Sequence, residues 1–167
     1  MTERMIRVGE SLPAVKLQMM QAGRVVTVAA NELFAGQRAV LFAVPAAFSP
    51  NCSEQHLPGY VNTLFEFRQK GIERLFCLAV NDVFVMQAWA RERDLVDEVT
   101  MLADGNGDFT RAIGMEMDMR RFGLGLRSRR YAMVIDKGRV SHLLVEKQGG
   151  EVKRSRAEKV LEALEHA

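Results

Sequence analysis

The stretch Arg38-Ala39-Val40-Leu41-Phe42-Ala43-Val44-Pro45-Ala46-Ala47-Phe48-Ser49-Pro50-Asn51-Cys52 decides the fold. After Arg38 it is continuously apolar to Val44, as a strand covered on both faces must be. Pro45 ends that strand, and Ala46 to Asn51 form a loop. From Cys52 to Lys70 the period becomes helical: Leu57, Val61, Leu64, Phe65 and Arg68 recur three or four apart, so their stems share one face. Pro58 falls inside this stretch and is expected to kink it or to delay its regular part. Gly71 is a helix stop.

Outward from this core the chain keeps alternating. Arg74 to Val80 reads as a second buried strand. Asn81 or Asp82 caps a helix over Val83 to Arg93, and Val99 to Ala103 is a third strand. Asp104-Gly105-Asn106-Gly107 is a turn, followed by a short helix over Phe109 to Gly114. Met115 to Leu126 has no clear period. Arg130 to Ile135 and Arg139 to Val145 flank Asp136-Lys137-Gly138 as a hairpin. Ser155 opens a final amphipathic helix, and Val25 to Val28 adds a short β-branched run near the start. Strands alternating with helices, closed by a hairpin and a helix, predict one α/β layered domain over residues 1–167 with a central mixed β-sheet flanked by helices.

The chain has 167 residues, 48% of them hydrophobic and 26% charged, which is enough apolar material for a core without disulfide staples. Its 23 basic and 21 acidic residues nearly balance, which argues against nucleic acid or a membrane surface as the main partner. No apolar run approaches the roughly 18–20 residues needed to span a bilayer. The opening Met1-Thr2-Glu3-Arg4-Met5-Ile6-Arg7 is charged, unlike a secretory leader, so a cytoplasmic location is expected. Two cysteines in such a setting are buried hydrophobes or reactive thiols rather than a disulfide framework.

Cys52 sits where a strand–loop junction opens a helix. Unpaired backbone N–H groups and the positive end of the helix dipole favour an anion there. A thiol so placed spends more of its time as the attacking thiolate. Position alone is equally consistent with a cysteine that merely begins a helix. Ser49 lies three residues earlier, and its hydroxyl can reach the sulfur or an oxygen bound to it, or can simply cap the helix. A cation is the usual third part of such a site. Arg129 and Arg130 enter the late strand side by side, and neighbouring strand residues face opposite ways. At most one of them faces Cys52, and spacing does not choose between them.

At these residues the sequence resembles the peroxiredoxins, in particular the peroxiredoxin-5 or type II branch. The motif stands here as Pro45-Ala46-Ala47-Phe48-Ser49-Pro50-Asn51-Cys52-Ser53. His56-Leu57-Pro58-Gly59-Tyr60, Val80-Asn81-Asp82-Val83-Phe84-Val85-Met86 and Arg127-Ser128-Arg129-Arg130-Tyr131-Ala132-Met133-Val134 are also similar to that branch. The resemblance implies a thioredoxin-like fold and a thiol peroxidase with Cys52 as the peroxidatic cysteine. It makes Pro45 the residue that shields the pocket, Ser49 the motif hydroxyl and Arg130, not Arg129, the motif arginine. Ala46 stands where the branch usually has Gly, and Ser49 where it usually has Thr. Serine keeps the hydroxyl but lacks the methyl that fixes its rotamer.

The chemistry implied is reduction of hydrogen peroxide and alkyl hydroperoxides through a Cys52 sulfenic acid. No cofactor is implied beyond an external thiol, from glutaredoxin and glutathione or from thioredoxin. A homodimer is implied as well. Cys77 has counterparts in some relatives, where it could resolve the sulfenic acid. It lies about three residues inside its strand, roughly 10 Å from the strand end at 3.3 Å per residue. A disulfide needs Cα atoms within about 7 Å, so a buried core cysteine is the simpler reading.

His56, one turn after Cys52, could make a Cys–His hydrolase pair, but no orienting third residue is evident, and a structural or rim histidine explains it. Histidines 56, 142 and 166 lack metal-ligand spacing. Asp104 to Asp108 resembles a calcium loop, but Met115 occupies the position of its bidentate glutamate. A non-catalytic thioredoxin-fold redox-sensing or binding module would be favoured by a missing cysteine or arginine, and both are present. A thiol–disulfide oxidoreductase would want Cys-x-x-Cys, which the chain lacks.

Overall fold

The computed structural model describes residues 4–96, 98–148 and 151–165. Met1 to Glu3 and His166, read above from sequence, lie outside these. The elements in chain order are β1 (Lys16–Gln21), β2 (Arg24–Ala29), α1 (Ala30–Leu33), β3 (Arg38–Ala43), a π-helical turn (Cys52–His56), α2 (Leu57–Asn62) and α3 (Leu64–Gln69). Then follow β4 (Arg74–Ala79), α4 (Val83–Glu92), β5 (Thr100–Ala103), α5 (Asp108–Ala112), β6 (Glu116–Asp118), β7 (Leu126–Ser128), β8 (Tyr131–Asp136), β9 (Arg139–Val145) and α6 (Ala157–Glu165).

Seven strands form one mixed sheet in the order β2-β1-β5-β4-β3-β8-β9. The buried runs β3, β4 and β5 are parallel and central, and the antiparallel pairs flank them. Alternation along β3 sends Val40 and Phe42 to one face, and Ala39, Leu41 and Ala43 to the other. The first face packs against α2, α3, α4 and α6, and it holds both Cys52 and Cys77. The second packs against α1, α5 and the N-terminal segment around Ile6 and Leu12. Among the described residues no helix is long and apolar enough to cross a membrane.

The structure differs from the sequence expectation in four places, the short helix α1 among them. β1 was not anticipated: in Lys-Leu-Gln-Met-Met-Gln only Leu17 and Met19 are buried, and methionine and glutamine are weak strand formers. Residues 115–126 fold into the small β6–β7 hairpin with a 3-10 turn at Arg120–Phe122. The helix expected over Cys52 to Lys70 is broken at Thr63 (φ −116°, ψ 18°), while at Pro58 it is not kinked but its regular α-helical part is delayed, beginning at Leu57 after the π-turn. Pro58 lies in the first turn of α2, where its missing N–H costs little. Its ring would press on the carbonyl one turn back in a regular α-helix. The wider turn just upstream, where Leu57 N–H bonds Cys52 O, relieves that clash. At Thr63 the side-chain hydroxyl bonds Gly59 O at 2.8 Å, and Leu64 starts α3 afresh.

Caps fix the other helices that matter to the site. Of the two candidates for α4, Asp82 is the cap, its carboxylate accepting from Val85 N–H at 2.8 Å. Asp104, in the turn after β5, accepts from Phe109 and Thr110 N–H at 3.1 and 2.8 Å and anchors α5.

Candidate active site

The loop between β3 and the π-turn leaves the sheet at the C-terminal end of the parallel strands. Asn81, just past β4, accepts Ala47 N–H at 3.0 Å on its side-chain oxygen and ties that loop to the next strand. Phe48 within the loop has φ +68°, a left-handed conformation that strains a side chain bearing Cβ. Ala46, where a glycine would be expected, has no such φ, so its methyl is tolerated. Pro50 and Asn51 already have helical backbone, and Ser53 N–H bonds Ser49 O at 2.8 Å. Cys52 therefore stands in the first turn of a helical segment.

Cys52 is fully buried on the helix side of the sheet, near Phe42 and Val44. Arg130 Nη2 donates to its sulfur at 3.1 Å. Arg130 directly precedes β8, beside the end of β3, because Ala43 pairs with Tyr131. Arg129, one position earlier, has its backbone N–H on Met115 O and does not share that place.

The other end of the Arg130 fork meets His56, with Nη1 3.0 Å from Nδ1. A guanidinium can only donate, so Nδ1 carries the lone pair and the proton is on Nε2. Nε2 is 3.0 Å from Ser155 O, a carbonyl that can only accept, and the two assignments agree. Burial, and then the charge of Arg130, push the imidazole from 6.5 down to about 3, so the ring is neutral at neutral pH. His56 is therefore no rim histidine. Nor can it serve Cys52 as a base, because its lone pair is held by Arg130. Tyr60, stacked on Phe42 with ring centroids 4.0 Å apart, donates its hydroxyl to the same Ser155 carbonyl.

Ser49 donates its hydroxyl proton to Ala46 O at 2.9 Å, which leaves its oxygen lone pairs as acceptors. Pro45, Ser49 and Arg130 line one open depression with Met117, Met119 and Phe122, a mixed polar and apolar lining beside the buried Cys52. Two further depressions lie around Arg74, at the opposite end of β4, and contain no cysteine or histidine.

Cys77 is buried in mid-β4, opposite Phe42 on β3 and Met101 on β5. Burial, and then the Cys52 sulfur, hold its thiol well above the usual range. Both cysteines are free thiols. Among the described residues no group of three or more histidine, cysteine or acidic side chains could hold a metal ion.

Sequence reasoning thus selected four residues that the fold brings together: Cys52, Ser49, Pro45 and Arg130. It missed the contacts made by His56, Asn81, Glu146 and Ser155. The sequence signals for His56 were its position one turn after the cysteine and its place in a segment similar to the peroxiredoxin branch.

A family model described as Redoxin matches residues 7–161. The chain is 47% identical over 163 residues to the chloroplastic Peroxiredoxin-2E of Arabidopsis thaliana, covering 95% of this chain and 69% of that protein. Reduced Prx3 from Vibrio vulnificus in complex with hydrogen peroxide superposes with a TM-score of 0.91 at 46% identity, over 96% of this chain and 99% of that one. Peroxiredoxin 5 from Alvinella pompejana gives a TM-score of 0.84 at 32% identity, over 97% and 99%. A buried cysteine under an arginine, on a sheet shared with these proteins and in a sequence matched over nearly its whole length, has one family behind it: the chain belongs to the redoxin family and is a peroxiredoxin, a thiol-dependent peroxidase.

Proposed function

We propose that Cys52 reduces hydrogen peroxide and alkyl hydroperoxides, with Arg130, Ser49 and Pro45 as its immediate partners. The observation that carries this reading is the Arg130 guanidinium 3.1 Å from the sulfur at the start of a helical segment. Peroxide enters through the depression that Pro45, Ser49 and Arg130 line. The thiolate attacks one oxygen, an S–O bond forms and the O–O bond breaks. Sulfur is oxidised to the sulfenic acid, and the departing oxygen leaves as water or alcohol after taking a proton from solvent, equivalent to the one Cys52 released on becoming a thiolate. Charge grows on that oxygen, where fixed donors stabilise it most. Ser49, whose proton is committed to Ala46, accepts from the hydroperoxide O–H and so orients it.

The burial of Cys77 in the sheet supports a role for an external thiol, glutaredoxin with glutathione or thioredoxin, in returning the sulfenic acid to thiol. Cys77 is buried in the sheet, and its thiol is disfavoured as a thiolate. We assign the chain to the peroxiredoxin-5 or type II branch on its motif residues. The exposed rings of Phe48, Phe84 and Phe122, two of them on loops beside the site, support a homodimer. Two free cysteines suit a reducing compartment such as the cytoplasm.

The test is hydrogen peroxide consumption with dithiothreitol by wild type, Cys52→Ser and Cys77→Ser. Loss in Cys52→Ser alone is expected. Full activity in Cys52→Ser would overturn the assignment. Loss in both variants would make Cys77 the resolving thiol, provided Cys77→Ser unfolds at the wild-type temperature.

A further inference from the structure

Glu146 directly follows β9 and is 3% exposed, an unusual place for a carboxylate. Its Oε2 accepts three hydrogen bonds, from Lys153 N–H at 2.8 Å, Ser155 N–H at 2.7 Å and the Ser155 hydroxyl at 2.6 Å. Burial pushes this carboxyl up, but the bonds from Ser155, Arg154 and Lys153 outweigh it and hold the group below its ordinary value. The charged form is thus the one that clamps the segment before α6.

The clamp closes a ring of contacts. Glu146 N–H bonds Arg130 O at 3.0 Å, and the Glu146 carboxylate holds Ser155. The Ser155 carbonyl accepts the His56 Nε2 proton, and His56 Nδ1 accepts from Arg130. Arg130 is therefore fixed at its backbone by one end of this ring and at its guanidinium by the other. Nη2 remains to meet the sulfur. We propose that Glu146 is a positioning residue: through Ser155 and the His56 tautomer it aims the Arg130 guanidinium at Cys52. This rests on the role given to Arg130 above. Glu146 touches neither the sulfur nor the depression that peroxide enters, so it acts only through others.

A misaimed donor is enough to matter, since a displacement of about 1 Å can cost up to about a hundredfold in rate. The test compares wild type, Glu146→Ala, Glu146→Gln, Glu146→Asp and Arg130→Lys in two measurements. One is the second-order rate constant with hydrogen peroxide. The other is the 15N spectrum of the histidine rings, which reports the His56 tautomer. Glu146→Ala should be slower by roughly tenfold or more, the lower range of such misplacement, and should lose the pure Nε2–H signature of His56. Glu146→Gln keeps an acceptor oxygen and should restore most of both. Glu146→Asp keeps the charge and a folded chain but retreats by one methylene, and should fall between them. Wild-type rates and unchanged His56 resonances in Glu146→Ala and Glu146→Asp, with Arg130→Lys slow, would overturn the positioning role alone. Wild-type rates in Arg130→Lys as well would overturn the peroxidase site on which it rests.

Discussion

Arg130 Nη2 lies 3.1 Å from Cys52 Sγ across 78 residues of sequence, while its Nη1 lies 3.0 Å from His56 Nδ1. One planar fork meets the two acceptors with two nitrogens at a fixed separation, whereas an ammonium is a point charge whose donors all sit on one atom. Arg130→Lys should therefore lower the rate constant for peroxide by about 10²-fold or more, the scale seen when one fixed donor is removed from an anionic transition state. Arg129→Lys should stay within about twofold, since the half-buried Arg129 makes no contact with the sulfur and substitutions away from such contacts usually cost no more than about 0.5 kcal/mol. Rapid-mixing measurements on the two variants decide the matter, and equal losses would refute the distinction between the arginines.

His56 makes a second prediction, on stability. Its folded value of about 3 lies below its ordinary 6.5, first because of burial and then because of Arg130. Between those values the unfolded chain holds a proton that the folded chain does not. Its contribution is complete above about pH 6.5 and is lost progressively as the pH falls toward 3, with a slope of at most ~1.4 kcal/mol per pH unit. Urea unfolding from pH 7 to 4.5 should therefore show a steeper loss in wild type than in His56→Gln. Parallel profiles would mean that His56 does not titrate as its burial requires.

These two residues also show where the sequence stops being informative. Pro45, Ser49 and Cys52 share one short loop, so a local pattern finds them together. Arg130 comes from a distant strand, and only the resemblance distinguished it from Arg129. The β3–β8 register supplies the physical reason: pairing Ala43 with Tyr131 puts residue 130 beside the loop that begins at Pro45. The partner of His56 is a backbone carbonyl 99 residues away, and no side-chain pattern marks a carbonyl. The central strands were legible because both their faces are buried. β1 was not, because its buried positions are filled by Leu17 and Met19 between glutamines. The π-turn was hidden too, since a helical period does not reveal whether a turn closes at four residues or five.

The last prediction concerns the contact that seats this turn on α4. Trp89 Nε1 donates at 2.8 Å to the Oγ of Ser53, which follows Cys52 in the chain, and both residues are buried. Ser53→Ala leaves the indole N–H buried and unpaired, which costs about 1–3 kcal/mol. Trp89→Phe removes that donor, so Ser53→Ala should cost much less in a Trp89→Phe background than in wild type. Urea unfolding of the four proteins measures that coupling. The loosened turn should also expose the sulfur more often, so native-state alkylation of Cys52 by iodoacetamide should be faster in Ser53→Ala than in wild type. If stability and alkylation both stay at wild-type values, the bond does not hold the Cys52 turn in place, and packing of Trp89 alone accounts for its seating.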